Sequence, residues 1–225
     1  MKKRRLLAIV AITGCAVVPA LQAGVTNGGA DSDVLRGTRG PDTIRAGAGQ
    51  DVVFGFRGAD VIVAGPGSDV VFGGHGRDVL LGGSEDDVLH AGSGRDVALG
   101  QAGNDTLLGG FNGDVLVGGS GDDRLIGGHG FDTLYAGDGA DVLVGGRGND
   151  VLYSRSRDGV KDTVICGPGR DVAVVRPEDE VHRSCERVLV LGDTNATTDP
   201  GDDNTIPPSA TKGDQRGIGA DPEEE

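Results

Sequence analysis

The chain has 225 residues, 43 of them Gly, with no Trp, three Cys and a formal net charge of −14. An acidic chain of this kind is a poor partner for nucleic acid. The ordering of its glycines excludes both collagen and a random linker. The length suits one extended domain with its two ends rather than two globular domains.

The N-terminus reads MKKRRLLAIVAITGCAVVPALQAG. Lys2, Lys3, Arg4 and Arg5 form a basic head, and residues 6–18 form an apolar stretch. That stretch is too short for a membrane span and breaks at Pro19, so residues 1–23 are predicted to be a secretory signal cleaved after Ala23. Cleavage removes four basic residues and takes the net charge from −14 to −18. A second reading stays open. Ile12-Thr13-Gly14-Cys15 resembles a bacterial lipobox, which would anchor the mature chain to the cell surface through a lipid on Cys15. The apolar residues after Cys15 favour simple cleavage, because a lipoprotein tether is usually polar. Either route makes this an exported, extracellular protein, outside the cell where calcium is abundant.

From residue 24 to residue 153 the chain is predicted to be one repeat domain. Aspartates fall at Asp33, Asp42, Asp51, Asp60, Asp69, Asp78, Asp87, Asp96, Asp105, Asp114, Asp123, Asp132, Asp141 and Asp150, nine residues apart with no slip. A Gly-rich loop precedes each, and three mostly apolar residues follow. From Gly73 the chain reads GGHGRDVLL, from Gly118 GGSGDDRLI, from Gly127 GGHGFDTLY and from Gly145 GGRGNDVLY. This is the nonapeptide G-G-x-G-x-D-x-U-x, with U a large apolar residue. Glycine supplies turn conformations without steric cost. The triplet after Asp, rich in β-branched and aliphatic residues, suits a short strand. Its middle residue (Leu35, Ile44, Val53, Ile62 and so on to Leu152) faces one way and its neighbours the other. Three residues cannot bury that side chain alone. Two strands and two loops can close one coil of a solenoid, with the middle residues meeting inside and like strands stacking in parallel.

Two nonapeptides per coil place residues eighteen apart above one another. The aspartates then form two columns, one from Asp33 to Asp141 and one from Asp42 to Asp150. Neighbours within a column lie about one strand spacing apart, on the order of 5 Å. At that distance carboxylates repel by several kcal/mol in a poorly solvated loop. No Lys or Arg recurs with the period needed to offset every rung. A hard divalent cation can do so, and calcium accepts six to eight carboxylate and carbonyl oxygens in tolerant geometry, where magnesium demands a strict octahedron. The loops are not uniform. Asp31, Glu85 and Asn112 stand where the fourth-position glycine belongs, and Thr38, Phe56 and Gln101 replace the second, so weaker sites are expected there.

The run from Gly28 to Tyr153 resembles the calcium-binding repeat region of RTX proteins, the hemolysin-type repeats. The resemblance implies an all-β fold, a right-handed parallel β-roll (β-solenoid) with two short strands per coil. It implies Ca²⁺ between successive loops, roughly a dozen ions if each loop shares one with its neighbour. Carried over rung by rung, the ligands are Asp42, Asp51, Asp60, Asp69, Asp78, Asp87, Asp96, Asp105, Asp114, Asp123, Asp132, Asp141 and Asp150. Asp33 is a weaker ligand, with a partner on one side only.

Outward strand positions such as Val52, Phe54, Val61, Phe72, Leu99, Tyr135 and Tyr153 would expose much apolar surface, which either the fold tolerates or a partner covers. After Asp150 the segment 154–161 carries three extra residues, so the next rungs are Asp162 and Asp171. Its charged, glycine-poor loop lacks the cradle, and the calcium columns are expected to end at Asp150. Residues 163–165, 172–174 and 188–191 still read as strands. Cys166 and Cys185 are the pair that remains in an exported protein once Cys15 is removed or lipidated, so a disulfide is expected within a capping segment, residues 154–192. Residues 193–225 are polar, acidic and Pro-containing, the composition of disorder.

No zinc motif, phosphate loop or nucleophile elbow is present, and no catalytic role is expected of His75, His90, His129 or His182. The expectation is therefore a calcium-binding protein without enzymatic activity. The alternative is a calcium-dependent adhesin that meets a cell-surface or matrix partner, or another copy of itself, through a sheet face. Ice binding would need a regular threonine row, and Thr43, Thr106, Thr133 and Thr163 are too scattered.

Overall fold

A computed structural model describes the backbone of residues 16–17, and residues 24–156 and 158–191. The rest of the predicted signal, Cys15 and the acidic tail lie outside the described residues. Among the described residues the structure is all β. Twenty strands form two ten-stranded sheets, one holding the odd-numbered strands in chain order and the other the even-numbered ones. Every pairing is parallel. Through the repeats, partners stand eighteen residues apart: Val52 pairs with Val70, Val70 with Val88, and Val97 with Val115. This is the two-strand coil that the nine-residue period predicts.

The core follows the alternation of the triplets. Leu35, Ile44, Val53, Ile62, Leu80, Leu89, Leu107, Leu116, Leu125, Leu134, Leu143 and Leu152 are fully buried between the sheets, and Val164 and Ala173 continue the row. The interior is one side chain thick from each sheet, so hydrophobic burial per coil is small. Most strands are longer than the predicted triplet. Val70–His75 and Val79–Ser84 each run six residues, because the parallel ladder continues through the first loop positions, where Phe56 pairs with Gly74 and Gly74 with Gly92. Loops of identical length stack in register, so their backbones can pair as well.

The irregular loops divide into two kinds. Phe56 (φ 76°), Gln101 (φ 86°), Glu85 (φ 72°) and Asn112 (φ 74°) keep the left-handed backbone of the glycines they replace. That conformation strains a residue with a side chain, and stacked neighbours must hold it. Thr38 and Asp31 do not adopt it, and the first two loops accordingly have different internal bonding.

The outward faces are less exposed than expected. Most flanking residues are half-buried and Val117 is buried. Many outward side chains are covered by the equivalents above and below them, while Val25 and Val61 stay exposed. Phe54 stacks on Phe72 at 5.1 Å between centroids, Phe72 on His90 at 4.9 Å, and Tyr135 on Tyr153 at 4.8 Å. Arg36 sits over Phe54 at 5.7 Å.

Beyond Asp150 the insertion is absorbed in the loop. Val142 pairs with Thr163 and Val151 with Val172, now twenty-one residues apart, and both sheets continue. The last strand, Arg187–Val190, pairs with Val172–Val175. Cys166 and Cys185 form the expected disulfide, with Cα atoms 5.0 Å apart. It ties the chain leading into the last strand to the coil beneath. Replacing both cysteines with serine is expected to cost about 3 kcal/mol in the chain-entropy account. The loss should be local: in calcium, amide exchange should speed up in Arg187–Val190 and stay slow around Leu107. Uniform acceleration along the roll would contradict it.

Candidate metal centre

The aspartate of each nonapeptide sits between the loop and the strand, so the coil fixes its side chain. Its Oδ1 accepts a hydrogen bond from the backbone N–H of the aspartate eighteen residues earlier. Asp51 N–H donates to Asp69, Asp69 to Asp87, Asp87 to Asp105 and Asp105 to Asp123, at 2.7 to 2.8 Å. The second column repeats this from Asp42 to Asp60 and on to Asp132 and Asp150, at 2.7 to 2.9 Å. The predicted columns are thus physical ladders in which one carboxylate oxygen holds the neighbouring coil.

The other oxygen has nothing to hold. Oδ2 of every rung from Asp51 to Asp150 is buried without a hydrogen-bond partner, and each of these residues is at most 2% exposed. A buried, unpartnered carboxylate oxygen is costly, and twelve in succession call for a ligand. Burial raises the pKa of these groups, the N–H bond to the neighbouring rung lowers it, and like charges mostly in the same column raise it again. The outcome is about 6 for Asp60, Asp69, Asp96, Asp105, Asp132 and Asp150, about 7 for Asp87, Asp114 and Asp123, and about 8 for Asp141.

The loop supplies carbonyl oxygens beside that orphan atom. A Cβ on Gly55 would lie 2.6 Å from Asp60 Oδ2 and 2.5 Å from the carbonyl oxygen of Gly73, in the next coil. Gly109 stands in the same relation to Asp114 Oδ2 and the Gly127 carbonyl, at 2.7 and 2.6 Å. Loop carbonyls therefore approach one another and the carboxylates with no side chain between them. Among the described residues no three acidic, His or Cys side chains converge on one point. The donors are instead one carboxylate per loop plus backbone oxygens, shared between stacked loops. An all-oxygen, flexible donor set fits calcium and offers nothing to softer metals. The rungs from Asp51 to Asp150, with the carbonyls of their loops, are the groups that would hold it.

The ends differ from the middle. Asp33 Oδ2 accepts the Gly29 N–H at 2.9 Å. Asp42 Oδ2 accepts both the N–H and the hydroxyl of Thr38, at 2.6 and 3.0 Å. Both carboxylates are satisfied by their own loops, so the predicted ligand Asp42, like Asp33, has no orphan oxygen to offer. At the other end the columns do not stop at Asp150. Asp141 N–H donates to Asp162 and Asp150 N–H to Asp171, both at 2.8 Å. Asp171 Oδ2 is a further orphan. The sequence identifies Asp171 as a rung but not as part of the calcium columns, although CGPGRD before it carries glycines at the second and fourth positions of the motif.

Asp162 is closed off differently. Ser154, fully buried, occupies the place of the first loop glycine. Its hydroxyl contacts Asp162 Oδ2 at 2.6 Å and Asp179 Oδ2 at 2.5 Å, while Asp162 N–H donates to Asp179 Oδ1 at 3.1 Å. A hydroxyl stands there where the other loops leave space, and Asp179 ends that column.

The family model for the RTX calcium-binding nonapeptide repeat matches the chain four times, at residues 27–57, 54–89, 81–116 and 117–152. A search of curated proteins returns no match. The matches span more than half of the chain and cover every rung from Asp51 to Asp150. This protein belongs to the RTX calcium-binding nonapeptide repeat family.

Proposed function

We propose that this is an exported calcium-binding protein whose roll becomes stable only when calcium occupies the loops. The observation that carries the reading is the unbroken series of orphan Oδ2 atoms from Asp51 to Asp150. Calcium, when bound, supplies the positive charge and oxygen coordination these atoms lack. The protein's part is positioning. Each Oδ1 is anchored to the coil before it, which directs Oδ2 into the loop, and the glycines leave carbonyls uncovered beside it. The basic-apolar leader and the Cys166–Cys185 bond support export to an oxidising, calcium-rich environment. No catalytic role is assigned to any residue. The alternative, adhesion through a sheet face, has less support, because the outward rows are half-buried by their own stacking.

Equilibrium dialysis against millimolar calcium tests the proposal. Roughly a dozen ions per chain are expected, one per shared loop, and neutralising Asp105 and Asp123 together (to Asn) should lower the count. Uptake of no calcium would overturn it.

A further inference from the structure

Consecutive loops alternate between the two long edges of the roll, because the chain turns once after each sheet. The loops that close on Asp42, on every eighteenth residue to Asp150 and then on Asp171 share one edge. They carry Arg39, Arg57, Arg77, Arg95, Arg147 and Arg170, and apart from the buried rungs they contain no acid. All six arginines are exposed. The opposite edge, over the loops from 28–32 to 136–140, carries Asp31, Glu85, Asp86, Asp122 and Asp138 and no Lys or Arg. Both edges hold the same buried ladder. Arginines placed to offset the ladder would appear on both; over these loops they appear on one, and the opposite edge turns basic only at its C-terminal loop, with Arg155 and Lys161.

The basic edge is also where aromatic rings emerge. Phe56, Phe111 and Phe131 are 46%, 61% and 68% exposed there, while Phe54 and Phe72 on the sheet face are half-buried. Phe111 stacks on His129 at 5.3 Å. Thr38, Arg39, Phe56, Arg57 and His75 line an open pocket near one end of the edge.

We propose that this edge binds a linear anionic polysaccharide laid along the axis of the roll. Arginine presents a planar fork suited to carboxylate and sulfate groups. Exposed phenyl rings can stack on the apolar faces of pyranose rings. The file is one loop wide, and successive loops rise by about 4.8 Å, close to the length of one sugar residue. A narrow file with that repeat matches a polymer chain better than a lipid plane or the wide groove of a duplex. The acidic opposite edge repels the same polymer, so binding is confined to one side.

The proposal rests on a folded, calcium-loaded roll, which circular dichroism and calcium counting check separately from polymer binding. Full-length protein in calcium should bind hyaluronate, more weakly as salt rises, and should not bind neutral dextran. Changing Arg57, Arg77 and Arg95 together to Glu should weaken binding at least tenfold. The pair Phe111→Ala and Phe131→Ala should weaken it several-fold. Changing Arg45, Arg124 and Lys161 to Glu reverses three charges away from the edge and should have little effect. Should the triple Glu variant misfold, the corresponding triple Gln variant gives the readout. Absence of hyaluronate binding, an equal loss in the charge-matched control, or tighter binding to anionic phospholipid vesicles or duplex DNA would each overturn the proposal.

Discussion

Treated with a chelator at pH 8, the protein is expected to lose most of its strand signal in circular dichroism and to recover it when calcium is restored. The middle of the roll buries a carboxylate every nine residues, each with one oxygen unpartnered, and at pH 8 nearly all of them carry charge. Against that stands a core one side chain thick. With calcium tenfold above each dissociation constant, one site contributes about 1.4 kcal/mol, and a dozen contribute about 17 kcal/mol. The usual net stability of a domain is only about 5–15 kcal/mol, so ion binding is large enough to decide whether the roll folds.

Acid should partly replace calcium. In the folded roll burial pushes Asp60, Asp69, Asp96, Asp105, Asp132 and Asp150 up to about 6, Asp87, Asp114 and Asp123 to about 7 and Asp141 to about 8, above the unfolded value near 4. Between those limits the folded state holds more protons than the unfolded one, so chelated protein gains stability as pH falls from about 8 towards 4. Below about 4 both states are protonated and the gain ends. Calcium affinity runs the other way and rises with pH across 6–8, because the ion competes with protons for the same oxygens. A chelated sample with full strand signal at pH 8, or one that loses structure on acidification from 8 to 5, would contradict this account.

Much of this is legible in the sequence because the solenoid converts period directly into position. A nine-residue step with two strands per coil fixes which aspartates stack, and the bonds from Asp51 to Asp69 and from Asp69 to Asp87 are that arithmetic made physical. What is not legible depends on contacts between coils. The Thr38 hydroxyl satisfies Asp42 because the loop abandons the left-handed turn, which a nonapeptide template cannot register. Ser154 reads as a break in the glycine pattern, yet its side chain fills the gap beside Asp162 and lets the column close on Asp179. Asp171 is legible as a rung, but the charged insertion at 154–161 masks that its own loop keeps the glycines beside an unpartnered Oδ2. The half-burial of the outward rows comes from stacking of Phe54 on Phe72 and Tyr135 on Tyr153, a property of neighbouring coils rather than of one strand.

Gly94→Ala should be among the most damaging of the single-methyl changes, costing at least about 4 kcal/mol or preventing cooperative folding. Gly94 is the fourth residue of its loop, with φ +151°, a conformation essentially reserved for glycine. Its Cβ would lie 1.4 Å from the carbonyl oxygen of Gly76 in the adjacent coil, so relief requires the stacked loops to separate. Separation would also pull apart the oxygens facing Asp78 and Asp96, and the calcium count should fall. Two comparisons set the scale. Gly159 has φ +74°, and a methyl group there would meet nothing within 4 Å, so Gly159→Ala should cost only about 1–2 kcal/mol of backbone strain. Asn112 occupies the position directly stacked on Gly94 at φ 74° rather than +151°, so a side chain is accommodated at this loop position when φ is smaller. Gly94→Asn should therefore fall between the two, since Asn tolerates that region. Denaturant melts of the three variants in excess calcium rank them, and a Gly94→Ala protein as stable as Gly159→Ala would mean that the loops are not packed against one another as described.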